Sequence, residues 1–247
     1  MKQIKLLFLL ASASVTGAFA QSNGLTDMSQ SRYAKMANTG IDAVHWTNGF
    51  WGERFNVFSG TSLQSMWNTW NTPEVSHGFR NFEIAAGVCK GEHWGPPFHD
   101  GDMSKWMEGV ASVYAVNKDP ELDKLMDNFI ACVVKAQRAD GYIHTPVVIE
   151  ELNKGIDSHT LADSQQQTVI GTKVGSEDEK GAFANRLNFE TYNLGHLMMA
   201  GIVHHRATGK TTLLDAAVKA TDFLCHFYET ASAELARNAI CPSHYMG

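Results

Sequence analysis

Apolar residues recur at intervals of three and four over four long stretches of this chain, the pattern of helices that each bury one face. Trp106, Val110, Val113 and Tyr114 mark the first and predict a helix over Asp102–Asn117, with Asp102 as its cap. Leu122, Leu125, Met126, Phe129, Val133 and Ala136 mark the second, Pro120–Arg138, which opens with a capping Asp119, Pro120 at the first helical position and Glu121 in the first turn. Leu194, Leu197, Met198, Ile202 and His205 predict Leu187–Thr208. After the stop at Thr208-Gly209-Lys210 and a cap at Thr211, the run from Leu214 to Tyr228 predicts Thr212–Glu229. Short connections make these four helices two hairpins. Setting Gly109 on Gly201 also superposes Ala115 on Ala207, Lys118 on Lys210, Leu122 on Leu214 and Asp123 on Asp215, a weak self-similarity that points to stacked hairpin units. Shorter helices are expected at Leu63–Trp70 and from Phe79 to near Gly87 or Gly91.

The remaining segments read differently. Ile143–Leu187 is too long for an ordinary connection, and its β-branched runs Val147–Ile149 and Thr168–Ile170 predict a small β-hairpin. It is expected at the same end of the hairpins as His93–Asp102. Val44–Trp46 and Phe50–Trp51 suggest a short extended segment packed by its rings. Residues 1–20 have the basic start, short apolar run and Ala18-Phe19-Ala20 ending of a secretory signal, which predicts a periplasmic or extracellular protein. Residues 21–43 read as a polar, Ser-rich, flexible lead-in, and 44–247 as one domain.

Composition narrows the partners. With 44% hydrophobic residues, a formal charge of -6 and no run of Lys or Arg, the chain has ample core and no basic face for nucleic acid. No stretch is apolar for long enough to span a membrane. Four cysteines, Cys89, Cys132, Cys225 and Cys241, allow three disulfide connectivities, but they are sparse and lie in apolar surroundings, so buried free thiols are expected. Cys225-His226 with Cys241 and His244 has only a weak zinc-like spacing, and reads better as a core Cys225, a solvated His226 and a turn at Cys241-Pro242. Phosphate-loop, dinucleotide and GxSxG motifs are absent.

What stands out is the junction His93–Tyr114, where a loop of rings, imidazoles and carboxylates runs into a helix. Together with Glu190, Tyr192, His196, Ser243 and His244, the residues Asp100, Asp102 and Trp106 form a set suited to sugars, whose hydroxyls need polar partners and whose ring faces stack on aromatics. Each has a plainer role open to it: Asp102 as a helix cap, Glu190 as a charge at a positive helix end, and Trp106, Tyr192 and His196 as packed core.

Asn81-Phe82 with Ala85-Ala86-Gly87, Asp100-Gly101-Asp102 with Lys105-Trp106 and Glu108, Asp119-Pro120-Glu121-Leu122, Gln137, Asp140-Gly141-Tyr142, and Gly195-His196-Leu197 with Ala207-Thr208-Gly209-Lys210 fall in the order seen in glycoside hydrolase family 127. The chain resembles the amino-terminal part of that family's catalytic domain from about Trp46 onward. The resemblance implies an (α/α) toroid of helical hairpins, retaining hydrolysis of β-L-arabinofuranosides of plant cell-wall glycans, and an arabinose-containing oligosaccharide as partner. It also implies a zinc-held cysteine nucleophile and a glutamate acid/base beyond Gly247, so no catalytic or metal residue is assigned within this chain. His196 and His244 are similar to sugar-contacting histidines. Asp102, Trp106, Tyr192, His196 and His244 are therefore expected to line one cavity for a furanose ring. On this reading the toroid is incomplete at its carboxyl end, the chain alone is inactive, and apolar faces such as Leu214–Tyr228 are left uncovered. The alternative is a non-catalytic carbohydrate-binding or scaffolding protein of stacked hairpins.

Overall fold

A computed structural model describes residues 24–156, 183, 186–237, 241 and 243–245. After turns and bends up to residue 48, α1 (Gly49–Val57) continues through one π-helical turn at Phe58–Ser62 into α2 (Leu63–Trp70). Then come α3 (Gly78–Ala85), α4 (His99–Asn117), α5 (Pro120–Ala136), α6 (Thr145–Asn153), α7 (Glu190–Thr208), α8 (Thr212–Thr230) and α9 (Ala233–Arg237). Single 3₁₀ turns lie at Arg186–Asn188 and Ser243–Tyr245. No strand occurs among the described residues.

The two predicted hairpins are α4–α5 and α7–α8. Asp119 caps α5 as expected, its carboxylate accepting from Glu121 N–H at 2.9 Å with Pro120 behind it. Helices α4 and α7 lie side by side and parallel: Gly101 N–H donates to Asn193 Oδ1 near the start of both, and Lys118 Nζ donates to Ala207 O at their other ends. The core fills the space between the hairpins with Met103, Trp106, Met107 and Val110 from α4, Met126, Phe129 and Val133 from α5, Leu194 and Leu197 from α7, and Leu213, Phe223 and Phe227 from α8. Trp67 of α2 stacks on Trp106 with centroids 5.0 Å apart, and Phe82 of α3 meets Phe129 edge-on at 5.0 Å. Close approach of α7 to α8 depends on Gly201, where a Cβ would stand 2.9 Å from that of Ala217 and 3.2 Å from Leu213 O.

Several expectations are corrected. Val147–Ile149 is not a strand but the buried face of α6, whose start has Pro146 in its first turn; Thr168–Ile170, its supposed partner, lies outside the described residues. Phe50 and Trp51 belong to a helix, α1. α4 begins at His99, one turn before Asp102, so Asp102 does not cap it. Thr211 holds the capping position of α8, but its hydroxyl donates to Asp215 and makes no bond to a helix-end N–H. All four cysteines are free, but only Cys132 is buried; Cys225 and Cys241 are exposed. Of the face expected to lie uncovered on α8, Ala217 and Leu224 are buried and Leu214 and Tyr228 half-buried, while Val218, Thr221 and Cys225 are exposed; the covered stripe runs through Leu213, Ala216, Ala220, Phe223 and Phe227. Exposed apolar side chains also gather at Val44, Trp46, Phe50, Trp51 and Val57. Among the described residues no helix is long and apolar enough to cross a membrane.

Candidate functional site

The adjoining starts of α4 and α7 enclose a buried polar cluster. Asp100, in the first turn of α4, accepts from Thr145 N–H at 2.7 Å and from the Thr145 hydroxyl at 2.6 Å, and faces His144 Nδ1 at 3.4 Å. Burial pushes the Asp100 carboxyl up, but those hydrogen bonds and the facing imidazole together hold it below the ordinary aspartate range. Asn193 of α7 donates to Pro97 O at 2.9 Å, accepts from Gly101 N–H at 2.9 Å and lies 3.2 Å from His144 Nδ1. Glu190 accepts from the Tyr142 hydroxyl and from Phe183 N–H, and burial raises its carboxyl above the ordinary glutamate value despite those bonds and the nearby His144. Tyr142 is pushed well above 10 by burial and by Glu190, so it stays a donor. A void of about 10 Å³ beside Asp100 and Asn193 has room for a water and not for a sugar ring.

Outward from this cluster the two helices present a second, more accessible set. Asp102 accepts from Lys105 Nζ at 2.9 Å and from the Tyr192 hydroxyl at 3.4 Å, while Lys105 also bonds the Tyr192 oxygen and lies 4.6 Å from the centre of its ring. Burial would lower the Lys105 ammonium, yet those bonds carry it above the ordinary lysine value. One helical turn on, the Tyr192 ring meets His196 edge-on at 4.7 Å. His196 Nδ1 faces Glu108 Oε1 at 3.7 Å, and its Nε2 lies 3.3 Å from Ser243 Oγ. The Glu108 approach is too long for a hydrogen bond, and neither His196 Nδ1 nor Glu108 Oε1 has a hydrogen-bond partner among the described residues. The Ser243–Tyr245 turn lies directly on α7 because residue 195 is glycine: a Cβ there would stand 2.2 Å from His244 N and 2.3 Å from Ser243 C.

Of the five residues assigned to one cavity, Asp102, Tyr192 and His196 come together. Trp106 does not join them; it is 2% exposed, stacked on Trp67, and donates its indole N–H to Leu63 O. His244 lies beside the set through its backbone, but its ring stacks on Tyr228 and its Nε2 is 3.1 Å from the Tyr228 hydroxyl. Burial holds His244 below the ordinary histidine value and pushes Tyr228 up to about 12. The site residues that sequence reasoning passed over are His144, Thr145 and Asn193, and the place of Glu108 opposite His196. Glu108 could have been found, since Lys105 and Glu108 follow Asp102 on one helical face; the other three come together only in three dimensions. As for the zinc implied by the resemblance, no group of three or more His, Cys, Asp or Glu side chains among the described residues could hold a metal ion.

Residues 43–247 match the family description "Beta-L-arabinofuranosidase, GH127 catalytic domain". A curated relative, the non-reducing end β-L-arabinofuranosidase of Bifidobacterium longum subsp. longum, is 32% identical over 149 residues, 60% of this chain and 19% of its own length. Among solved structures, one described as a glycoside hydrolase is 69% identical with a TM-score of 0.59, covering 91% of this chain and 26% of its own. A GH127 β-L-arabinofuranosidase from Geobacillus stearothermophilus T6 is 31% identical with a TM-score of 0.57, covering 73% and 25%. The chain thus spans about a quarter or less of the relatives it matches.

Proposed function

The chain belongs to glycoside hydrolase family 127, and from that premise we propose that its paired helix starts recognise a β-L-arabinofuranose residue of a plant cell-wall glycan, as part of a retaining β-L-arabinofuranosidase. The observation that carries this is the meeting of Tyr192, His196, Glu108 and Asp102 on neighbouring turns of α4 and α7, where a ring edge, an imidazole and carboxylates present hydroxyl partners around one accessible patch. His196 Nε2 meets a sugar hydroxyl in place of Ser243, the Glu108 carboxylate stands 3.7 Å from the other ring nitrogen, and the Asp102–Lys105 pair keeps Tyr192 fixed. The helical hairpins form part of an (α/α) toroid whose mouth carries this patch. No side chain of this chain is assigned to catalysis or to zinc, and residues 1–20 are read as directing secretion.

The test uses residues 21–247. Methyl β-L-arabinofuranoside binds, and His196→Ala weakens it by about 1–3 kcal/mol, the usual loss for one hydrogen-bonding partner, without lowering the thermal midpoint. Unchanged affinity in that variant overturns the reading. An aryl β-L-arabinofuranoside is not turned over, with or without zinc; turnover above the buffer rate would put the chemistry inside this chain.

A further inference from the structure

The first helix turns much of its apolar surface away from the core. Of the nine residues of α1 only Gly52 is buried, where a Cβ would stand 3.5 Å from the backbone of Trp46 and Thr47. The inner side is carried by Phe55, which packs against the core with its ring 5.6 Å from that of Trp46, and by Phe58 just beyond the helix, whose ring tip lies over Gly109 of α4. On the opposite side Phe50 is 63% exposed and Val57 50%, with Trp51 exposed on the flank. The helix cannot roll to bury them, because it runs through the π-helical turn into α2, where Leu63 is buried and Trp67 stacks on Trp106. A contiguous apolar face on a helix fixed in this way marks a surface that another surface covers.

The order of residues on that outer side says which surface. Phe50, Glu53, Arg54 and Val57 stand at helical spacing and form one stripe, apolar at both ends and oppositely charged at its centre. Glu53 and Arg54 are exposed like the ends, and the Arg54 guanidinium lies 5.5 Å from the centre of the Phe50 ring, which holds it on the stripe. A two-fold axis passing between Glu53 and Arg54 lays two such stripes antiparallel. Phe50 then meets Val57 of the second copy and Glu53 meets its Arg54, each contact occurring twice. Antiparallel helices also oppose their dipoles. A parallel pairing would set Glu53 on Glu53 and Arg54 on Arg54, and its own charges reject it.

We infer that the outer face of α1 is a docking surface for a second copy of this chain, joined to it across a two-fold axis, with Trp51 closing the rim of the contact. A lipid surface is a poorer match. A helix lying in a membrane interface keeps the middle of its buried face apolar and its charges on the other face, whereas here a carboxylate stands at the centre of the stripe and the chain as a whole carries -6. The contact is small, since a helix of nine residues is about 14 Å long. Association is therefore weak, with a dissociation constant on the order of 10–100 µM. The inference does not depend on how the sugar site is read.

Sedimentation velocity on residues 21–247 is the test. The parent dimerises in that concentration range, and Phe50→Ala weakens the dimer about tenfold. Glu53→Arg and Arg54→Glu each abolish it, because either one sets like charges against each other on both sides of the axis. An equimolar mixture of those two variants dimerises again, and so does the chain that carries both substitutions, since opposite charges meet once more. All these side chains face solvent in the single copy, so helical circular dichroism and Tm stay at the parent's values. A parent still monomeric at about ten times the expected constant overturns the proposal. Charge variants that keep the parent's association, or that fail to recover it when mixed, do the same. So does a monomeric parent that binds phosphatidylcholine vesicles and loses them on Phe50→Ala, which would assign the face to lipid.

Discussion

At the scale of single residues, the site is organised by a carboxylate that never meets solvent. Asp100 is 5% exposed and its oxygens are taken up by Thr145 and the facing His144. Replacing it with Ala leaves the buried Thr145 N–H and hydroxyl without an acceptor, and should cost about 2–5 kcal/mol in urea unfolding at unchanged slope. The pH dependence comes from other groups. Burial pushes His93 down to about 4, opposed by the charge of Asp100 and helped by the neighbouring His144, His99 and His77. His204, fully buried with neither ring nitrogen bonded among the described residues, is lowered by burial and by Lys210, against Asp127 and Asp123. Both imidazoles take up a proton readily only when unfolded, so the stability they contribute is complete above about 6.5 and is lost below it, in the case of His93 as pH drops toward about 4. Glu190, raised by burial, acts in the opposite sense, and Asp100, lowered, loses its contribution only below the ordinary aspartate value. The check is therefore a difference: urea midpoints between neutral pH and about 4.5 should fall less in His93→Gln and His204→Gln than in the parent.

At the scale of elements, equivalence in sequence and equivalence in packing part company. Gly109 and Gly201 superpose in the hairpin overlay, but a side chain at Gly201 meets backbone and a helix-bound Cβ, whereas at Gly109 it meets the tip of the Phe58 ring at 3.2 Å, which can swing away. Gly201→Ala should lower stability by about 1–3 kcal/mol and Gly109→Ala by clearly less, measured by thermal melting. The same distinction explains what could be read in advance. α5, α7 and α8 were legible because one apolar face and a polar stop are local properties, and Asp119-Pro120-Glu121 states its own boundary. The start of α4 was not, because the first-turn N–H of Gly101 is satisfied by Asn193, 92 residues away, and no local cap exists to be found. α6 was misread as a strand since Thr145, Val147, Val148 and Ile149 are all buried, which erases the helical period and leaves only a β-branched run. Of the site, Tyr192 and His196 showed themselves as a ring and an imidazole near a helix start, His196 also through the Gly195-His196-Leu197 resemblance; His144 and Thr145 were hidden inside that same misread segment.

At the scale of the whole molecule, the hairpins are tied to each other at both ends. Near the site Asn193 bonds α7 to the loop and first turn of α4. At the far end the turn lysine of each hairpin reaches the other: Lys118 donates to Ala207 O at 3.0 Å, and Lys210 to Asp123 at 2.7 Å and Asp127 at 2.9 Å. Two parallel rods pinned at both ends cannot scissor, so the aperture between their starts has no open and closed setting. A ligand then arrives at a surface that is already in its final shape, and the rate of capture is set by encounter alone. Stopped-flow mixing of residues 21–247 with an arabinofuranose oligosaccharide should give one exponential whose rate rises linearly with sugar concentration, with no plateau to betray a slower step behind it.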